Sequence, residues 1–260
     1  MRWALGISYD GQAYEGWQSQ PSRCTVQDEL ELALARFADQ PVPTVCAGRT
    51  DAGVHGLMQV VHFDTSIERE AFSWVRGTNR FLPPSIAVQW AQTVPVEFHS
   101  RASALARRYA YVLLESPVRP SLESGRAGWV FRPLDESAMR AAASHLLGEH
   151  DFTSFRASGC QARSPVKIMR QIEIRRRGGY WRFEFEANAF LHHMIRNIMG
   201  CLVLVGQGQQ APGWIGDVLA AKDRDAAAPT FSPHGLYFLG PVYETHWGLP
   251  DRTAAYDWLP

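Results

Sequence analysis

Between residues 47 and 56 the chain reads Ala47-Gly48-Arg49-Thr50-Asp51-Ala52-Gly53-Val54-His55-Gly56, with three glycines in the nine residues from Gly48 onward. Such a stretch lets the backbone turn tightly around one carboxylate. Asp51 is flanked by small residues, so a substrate can approach it closely, and Arg49 can point a cation along the same face. One ionised carboxylate beside a cation suits nucleophilic chemistry. An aspartate in a glycine-rich loop more commonly caps a turn, and spacing alone leaves both roles open.

Two other segments carry side chains able to assist a carboxylate. In Arg107-Arg108-Tyr109-Ala110-Tyr111 strand alternation puts Tyr109 and Tyr111 on one face, where either ring can be core. In His193-Met194-Ile195-Arg196-Asn197 an arginine interrupts an apolar helical pattern, and its bland role is to extend its head to solvent. His192 and His193 sit side by side, as do Glu149, His150 and Asp151. Neighbouring helical positions diverge by about 100°, and there is no HExxH or Cys/His spacing, so no metal is expected. Gly206-Gln207-Gly208 follows a helix rather than a strand and lacks the rest of a dinucleotide fingerprint.

The surrounding pattern is that of an α+β protein. Trp3, Leu5, Ile7 and Tyr9 alternate as a strand ended by Asp10-Gly11. Thr25 caps a helix with Val26, Leu30, Leu34 and Phe37 on one face, stopped by Pro41 and Pro43. Strands are expected at 42–47 and 59–64, with the glycine-punctuated loop between them. A similar order follows: a strand at 109–114, a helix at 135–147 closed by Gly148, two strands at 167–176 and 180–187 joined by Arg177-Gly178-Gly179, and a helix at 191–205. This predicts two α+β units with antiparallel sheets, an N-terminal one over 1–100 and a C-terminal one over 101–260.

Composition narrows the function classes. The 260 residues are 46% hydrophobic and 20% charged, with zero net charge, which excludes a disordered or fibrous chain. No apolar run approaches the roughly 20 residues of a membrane span, and the N-terminus reads as a strand rather than a signal peptide, so no membrane and a cytoplasmic location are expected. The four scattered cysteines are expected to be free thiols. Residues 101 to 182 hold 14 Arg and one Lys against seven acids. Clustered guanidinium groups suit phosphate, and within it Arg163, Lys167, Arg170, Arg175, Arg176, Arg177 and Arg182 face Glu173 alone. On a strand Arg175 and Arg177 lie on one face and Arg176 on the other.

The segment around Asp51 resembles the signature of the TruA family of tRNA pseudouridine synthases. The resemblance continues in Tyr9-Asp10-Gly11-Gln12-Ala13-Tyr14-Glu15-Gly16-Trp17-Gln18, in Gln59-Val60-Val61-His62-Phe63, in Arg107 to Tyr111, in Gly148 to Phe155 and in Asn188 to Gly200. It implies the pseudouridine-synthase fold, two α+β halves with antiparallel sheets meeting at a central RNA-binding cleft, in a homodimer. It further implies isomerisation of uridine to pseudouridine at positions 38, 39 and/or 40 of the tRNA anticodon stem-loop, with no metal or organic cofactor.

By the same resemblance Asp51 is the nucleophile, Arg196 its cationic partner, and Tyr109 the ring that stacks on the flipped uracil and the candidate for removing the C5 proton. Arg49 corresponds to the arginine that helps displace the target nucleotide, and Leu236 to an apolar contact with the base. The block around Arg101-Ala102-Ser103 loses a common aromatic, and Asn79-Arg80-Phe81-Leu82-Pro83 is bulkier than usual before its Leu-Pro. Two other classes compete. A catalytically silent RNA-binding protein would use the basic segment and aromatic rings, and a nucleoside or glycoside hydrolase would need a second carboxylic acid that the sequence does not identify.

Overall fold

A computed structural model of the chain describes residues 1–250. In chain order its strands and helices are β1 (Arg2–Tyr9), α1 (Val26–Ala38), β2 (Val45–Cys46), β3 (His55–Asp64), α2 (Ala71–Asn79), β4 (Ile86–Val94), β5 (Ala106–Glu115), β6 (Gly128–Val130), α3 (Glu136–Ser144), β7 (Gly148–Asp151), β8 (Val166–Arg177), β9 (Tyr180–Ala187), α4 (Met194–Gly206), α5 (Trp214–Ala221) and β10 (Leu236–Val242). The fold is α+β, with strand pairing mostly antiparallel. Its described residues divide into two compact units, Met1–Arg107 with residues 237–250, and Arg108–Leu236. An unbroken division at residue 100 puts β10 in the second unit. From Tyr237 that strand instead joins the first, pairing in parallel with β3 (Tyr237 opposite His55).

In the first unit β1 lies between β3 and β4, antiparallel to both. Its alternating Trp3, Leu5, Ile7 and Tyr9 pack with Val26, Leu30 and Leu34 of α1 and Trp74 of α2. Thr25 begins α1 as its pattern predicts, its hydroxyl accepting from the Asp28 N–H at 3.3 Å. The strand expected at 42–47 is reduced to Val45 and Cys46, whereas β3 starts four residues earlier than expected, at His55.

His62 of β3 is buried, and its Nδ1 accepts from the Ser100 N–H at 3.2 Å. Burial, reinforced by the Arg2 cation, lowers its pKa to about 4. The unfolded chain takes up this proton near pH 6.5, the folded protein only near 4, so stability is complete above 6.5 and falls as pH drops through that window. We expect the melting temperature to fall less between pH 7.5 and 5 in His62→Asn, which keeps an acceptor but cannot titrate. Equal falls in the two proteins would show that His62 is not the group responsible.

The second unit orders its strands β5-β9-β8-β7, with β6 beside β5. Helix α3 is capped by Asp135, whose carboxylate accepts from the Ala138 N–H at 3.0 Å, and it is shorter than the expected 135–147. Helix α4 starts three residues later than expected, because His193 has a left-handed backbone (φ 62°) and serves as the N-cap. His192 and His193 therefore precede the helix, and their rings lie 4.0 Å apart instead of diverging around it.

The β8–β9 hairpin places Arg175 opposite Arg182 and Arg176 opposite Trp181, so Arg175 and Arg177 share a face that Arg176 does not. Charge on this hairpin is more balanced than in the linear sequence. Arg182 pairs with Glu184 at 2.7 Å, Arg175 with Glu173 at 2.9 Å, Arg170 with Glu186 at 3.6 Å, and Arg176 with Glu115 at 3.0 Å. Glu184 pairs with Arg182 two residues before it on β9, whereas Glu186 reaches Arg170 only through strand pairing. All four cysteines are free.

Candidate active site

The loop between β2 and β3 carries Arg49 and Asp51 in the first unit. Asp51 is half-buried, while Arg49 and Ala52 are exposed. A turn follows the aspartate directly, closed by the Val54 N–H donating to the Asp51 carbonyl at 3.1 Å. Gly53 occupies its third position at φ 76°, a conformation that suits glycine there. The Asp51 main-chain carbonyl thus closes the turn. Thr50, immediately before, is buried; its carbonyl accepts from the Trp17 N–H at 3.0 Å and its hydroxyl meets the Tyr9 hydroxyl at 2.9 Å.

The segment from Tyr9 to Gln18 forms one wall of this loop, which explains why two motifs so far apart in sequence belong together. A Cβ on Gly16, at φ 94°, would lie 2.6 Å from the Thr50 carbonyl oxygen and 3.1 Å from the Asp51 carbonyl carbon. One on Gly11 would lie 1.9 Å from the Val54 carbonyl oxygen. Both glycines are needed for the backbones to approach. The Gly53 N–H also donates to the Tyr14 carbonyl at 3.3 Å, and the Gly11 N–H to His55 Nδ1 at 3.1 Å. His55 in turn stacks on Tyr237, with centroids 4.6 Å apart. The main chain on either side of Asp51 is therefore held from several directions.

Tyr109, Arg196 and Leu236 belong to the second unit. Of the two tyrosines on β5, Tyr111 is the core residue: it is fully buried, and its hydroxyl donates to the Ser232 carbonyl at 2.8 Å. Tyr109 is 7% exposed and meets Phe190 edge-on at 5.1 Å. Arg196 does not simply reach out to solvent. Its Nε donates to the Phe231 carbonyl at 2.9 Å, and its own carbonyl accepts from the Phe231 N–H at 3.1 Å. The next residue, Asn197, is buried and binds the same returning segment, accepting from Thr230 Oγ1 at 2.7 Å and from Arg224 at 3.2 Å while donating to the Phe155 carbonyl at 2.9 Å. Leu236 is buried at the start of β10.

Sequence reading did not single out the side chains of Gln59, Arg107 and Asn197 as supports. Arg107 donates to the Ala47 carbonyl at 3.2 Å, at the base of the Asp51 loop, and to the Arg101 carbonyl at 2.6 Å. The available signal was a polar residue inside an otherwise apolar stretch, since burial of an amide requires partners.

Comparison with known proteins bears on both units. A family model described as tRNA pseudouridine synthase matches residues 6–101 and 142–244. The tRNA pseudouridine synthase A of Polaromonas naphthalenivorans (strain CJ2) is 75% identical over 264 residues, covering 100% of each chain. The proteins of that name from Polaromonas sp. (strain JS666) and Paracidovorax citrulli (strain AAC00-1) are 74% and 72% identical, again over 100% of each chain. Matched by the family model in both of its units and from end to end by these relatives, the chain belongs to the tRNA pseudouridine synthase family.

Proposed function

We propose that this protein isomerises uridine to pseudouridine in tRNA, at positions 38, 39 and/or 40 of the anticodon stem-loop, with Asp51 as the nucleophile. The observation that carries this reading is end-to-end identity of 74–75% with proteins named tRNA pseudouridine synthase A. The reaction breaks the N1–C1′ glycosidic bond, turns the uracil, joins C5 to C1′, removes the C5 proton and leaves a proton on N1, so that the product is an isomer of the substrate. A nucleophile must hold one fragment while the base turns. The half-buried Asp51, on a main chain fixed on both sides, suits that task.

In this reading Arg196 supplies the counter-charge that keeps Asp51 ionised once bound RNA removes water from around it. Tyr109 stacks on the flipped uracil and takes the C5 proton, Leu236 packs against the base, and the exposed Arg49 helps displace the nucleotide from the stem. The enzyme works without metal or organic cofactor, as a homodimer in the cytoplasm. No helix among the described residues is long and apolar enough to cross a membrane.

Incubation of the purified protein with full-length tRNA carrying uridine at these positions, without added metal cofactor, is expected to yield pseudouridine on nucleoside analysis. Unchanged uridine at positions 38, 39 and 40 would refute the reading. Bound tRNA with no conversion is the result expected of a silent RNA-binding protein, and released uracil that of a hydrolase.

Tyr109→Phe keeps the ring and loses only the hydroxyl, so it separates stacking from proton removal. We expect tRNA affinity within about twofold of wild type and turnover reduced by about 100-fold or more, the usual scale of a lost general base. Normal turnover by Tyr109→Phe together with an inactive Tyr109→Leu would assign the proton to water or another group.

A further inference from the structure

Strand β3 is buried from His55 to Phe63, and amid its apolar side chains lies Gln59, which is 0% exposed. A buried primary amide is costly unless its donors and acceptor are used. Here both ends of the amide go to one residue: Oε1 accepts from the Gly48 N–H at 3.3 Å and Nε2 donates to the Gly48 carbonyl at 2.5 Å. On the other side of Arg49 the buried Tyr9 hydroxyl meets Thr50 Oγ1 at 2.9 Å. Burial pushes the Tyr9 hydroxyl above its ordinary pKa, so it remains protonated throughout the working range.

Gly48 and Thr50 flank Arg49, and Asp51 follows next. A pair of buried contacts, Gln59 with Gly48 and Tyr9 with Thr50, therefore holds the backbone on both sides of the arginine and up to the carboxylate. It is separate from the turn after Asp51, which is closed by main-chain bonds. Gln59 has no exposed surface with which to meet substrate. We infer that Gln59, with Tyr9, is a positioning residue for the reaction, setting the main-chain path from Gly48 to Thr50 and thereby the placement of Asp51. The inference rests on the reading of Asp51 as the reacting carboxylate.

The test compares Gln59→Met, Gln59→Glu, Tyr9→Phe and Asp51→Asn, using melting temperature and single-turnover pseudouridine formation at saturating tRNA. Gln59→Met fills the space without hydrogen bonds and is expected to lower kcat by about 10- to 100-fold, the scale of an ångström-sized misplacement, with KM for tRNA within about threefold. Tyr9→Phe should lower kcat in the same direction by a smaller factor.

Gln59→Glu supplies a readout that a merely structural role would not move. A neutral carboxyl can both accept from and donate to Gly48, whereas its ionised form loses the donor, and burial raises its pKa. Activity of Gln59→Glu relative to wild type is therefore expected to fall about tenfold or more between pH 6 and 9. A constant ratio over that range overturns the proposal, as does a folded Gln59→Met with kcat within twofold of wild type. Should Gln59→Met fail to fold, the Gln59→Glu profile and Tyr9→Phe decide: a pH-dependent loss with lowered kcat in Tyr9→Phe supports the role, and wild-type kcat in Tyr9→Phe overturns it. Activity remaining in Asp51→Asn defeats the assignment of Asp51 itself, whereas an unperturbed Gln59→Met beside an inactive Asp51→Asn defeats only the positioning role.

Discussion

Asp51→Asn is expected to abolish pseudouridine formation, by about four orders of magnitude or more, while leaving the fold and tRNA affinity nearly unchanged. The amide matches the carboxylate in shape but cannot act as an anionic nucleophile. The local backbone should survive the change, because it is held by main-chain groups of residues 50, 51 and 53 and by the neighbouring Thr50 hydroxyl. Gly11 and Gly16 still allow the adjoining wall to approach. Nucleoside analysis after prolonged incubation, with filter binding and a melting curve as controls, reads the outcome. More than trace pseudouridine would remove Asp51 from its assigned role, and a large loss of tRNA binding would show that the variant tests recognition rather than chemistry.

Arg196→Met has the second-largest expected effect, a fall in kcat of about 100- to 1000-fold. The substitution keeps an apolar stem on α4 and deletes the cation, leaving the proposed nucleophile without its counter-charge when bound RNA excludes water. A second effect follows from the structure: the Phe231 carbonyl loses the Nε–H that it accepts at 2.9 Å, which costs about 1–3 kcal/mol where water cannot replace it. The reciprocal bond from the Phe231 N–H to the residue 196 carbonyl, and the Asn197 ties to Thr230 and Arg224, remain, so the segment should stay folded with a modestly lower melting temperature. Wild-type kcat in this variant would refute the counter-charge role.

Signals confined to a few neighbouring residues were legible without coordinates. Thr25 and Asp135 begin their helices because a side-chain oxygen can reach a backbone N–H three residues on. The alternation from Trp3 to Tyr9 marks a strand because successive side chains point to opposite faces, and Gly178, at φ 61°, turns the hairpin. The ordered motifs also carried family membership, since their order and spacing can be compared without knowing what they touch. Helices α2 and α5 and the strand β4 were not anticipated from such signals.

Distant pairing settled the rest. The return of β10 beside β3, the closeness of Gly11 and Gly16 to the loop around Asp51, and the Glu186 and Glu115 partners of Arg170 and Arg176 each depend on strand register or on segments that meet only after folding. The same holds for Gln59 and for the tie between Arg196 and Phe231. In those cases a polar side chain is explained by backbone groups 11 and 35 positions away. Linear spacing does not specify such partners, because hydrogen bonds made across a core depend on which faces the folded chain brings together.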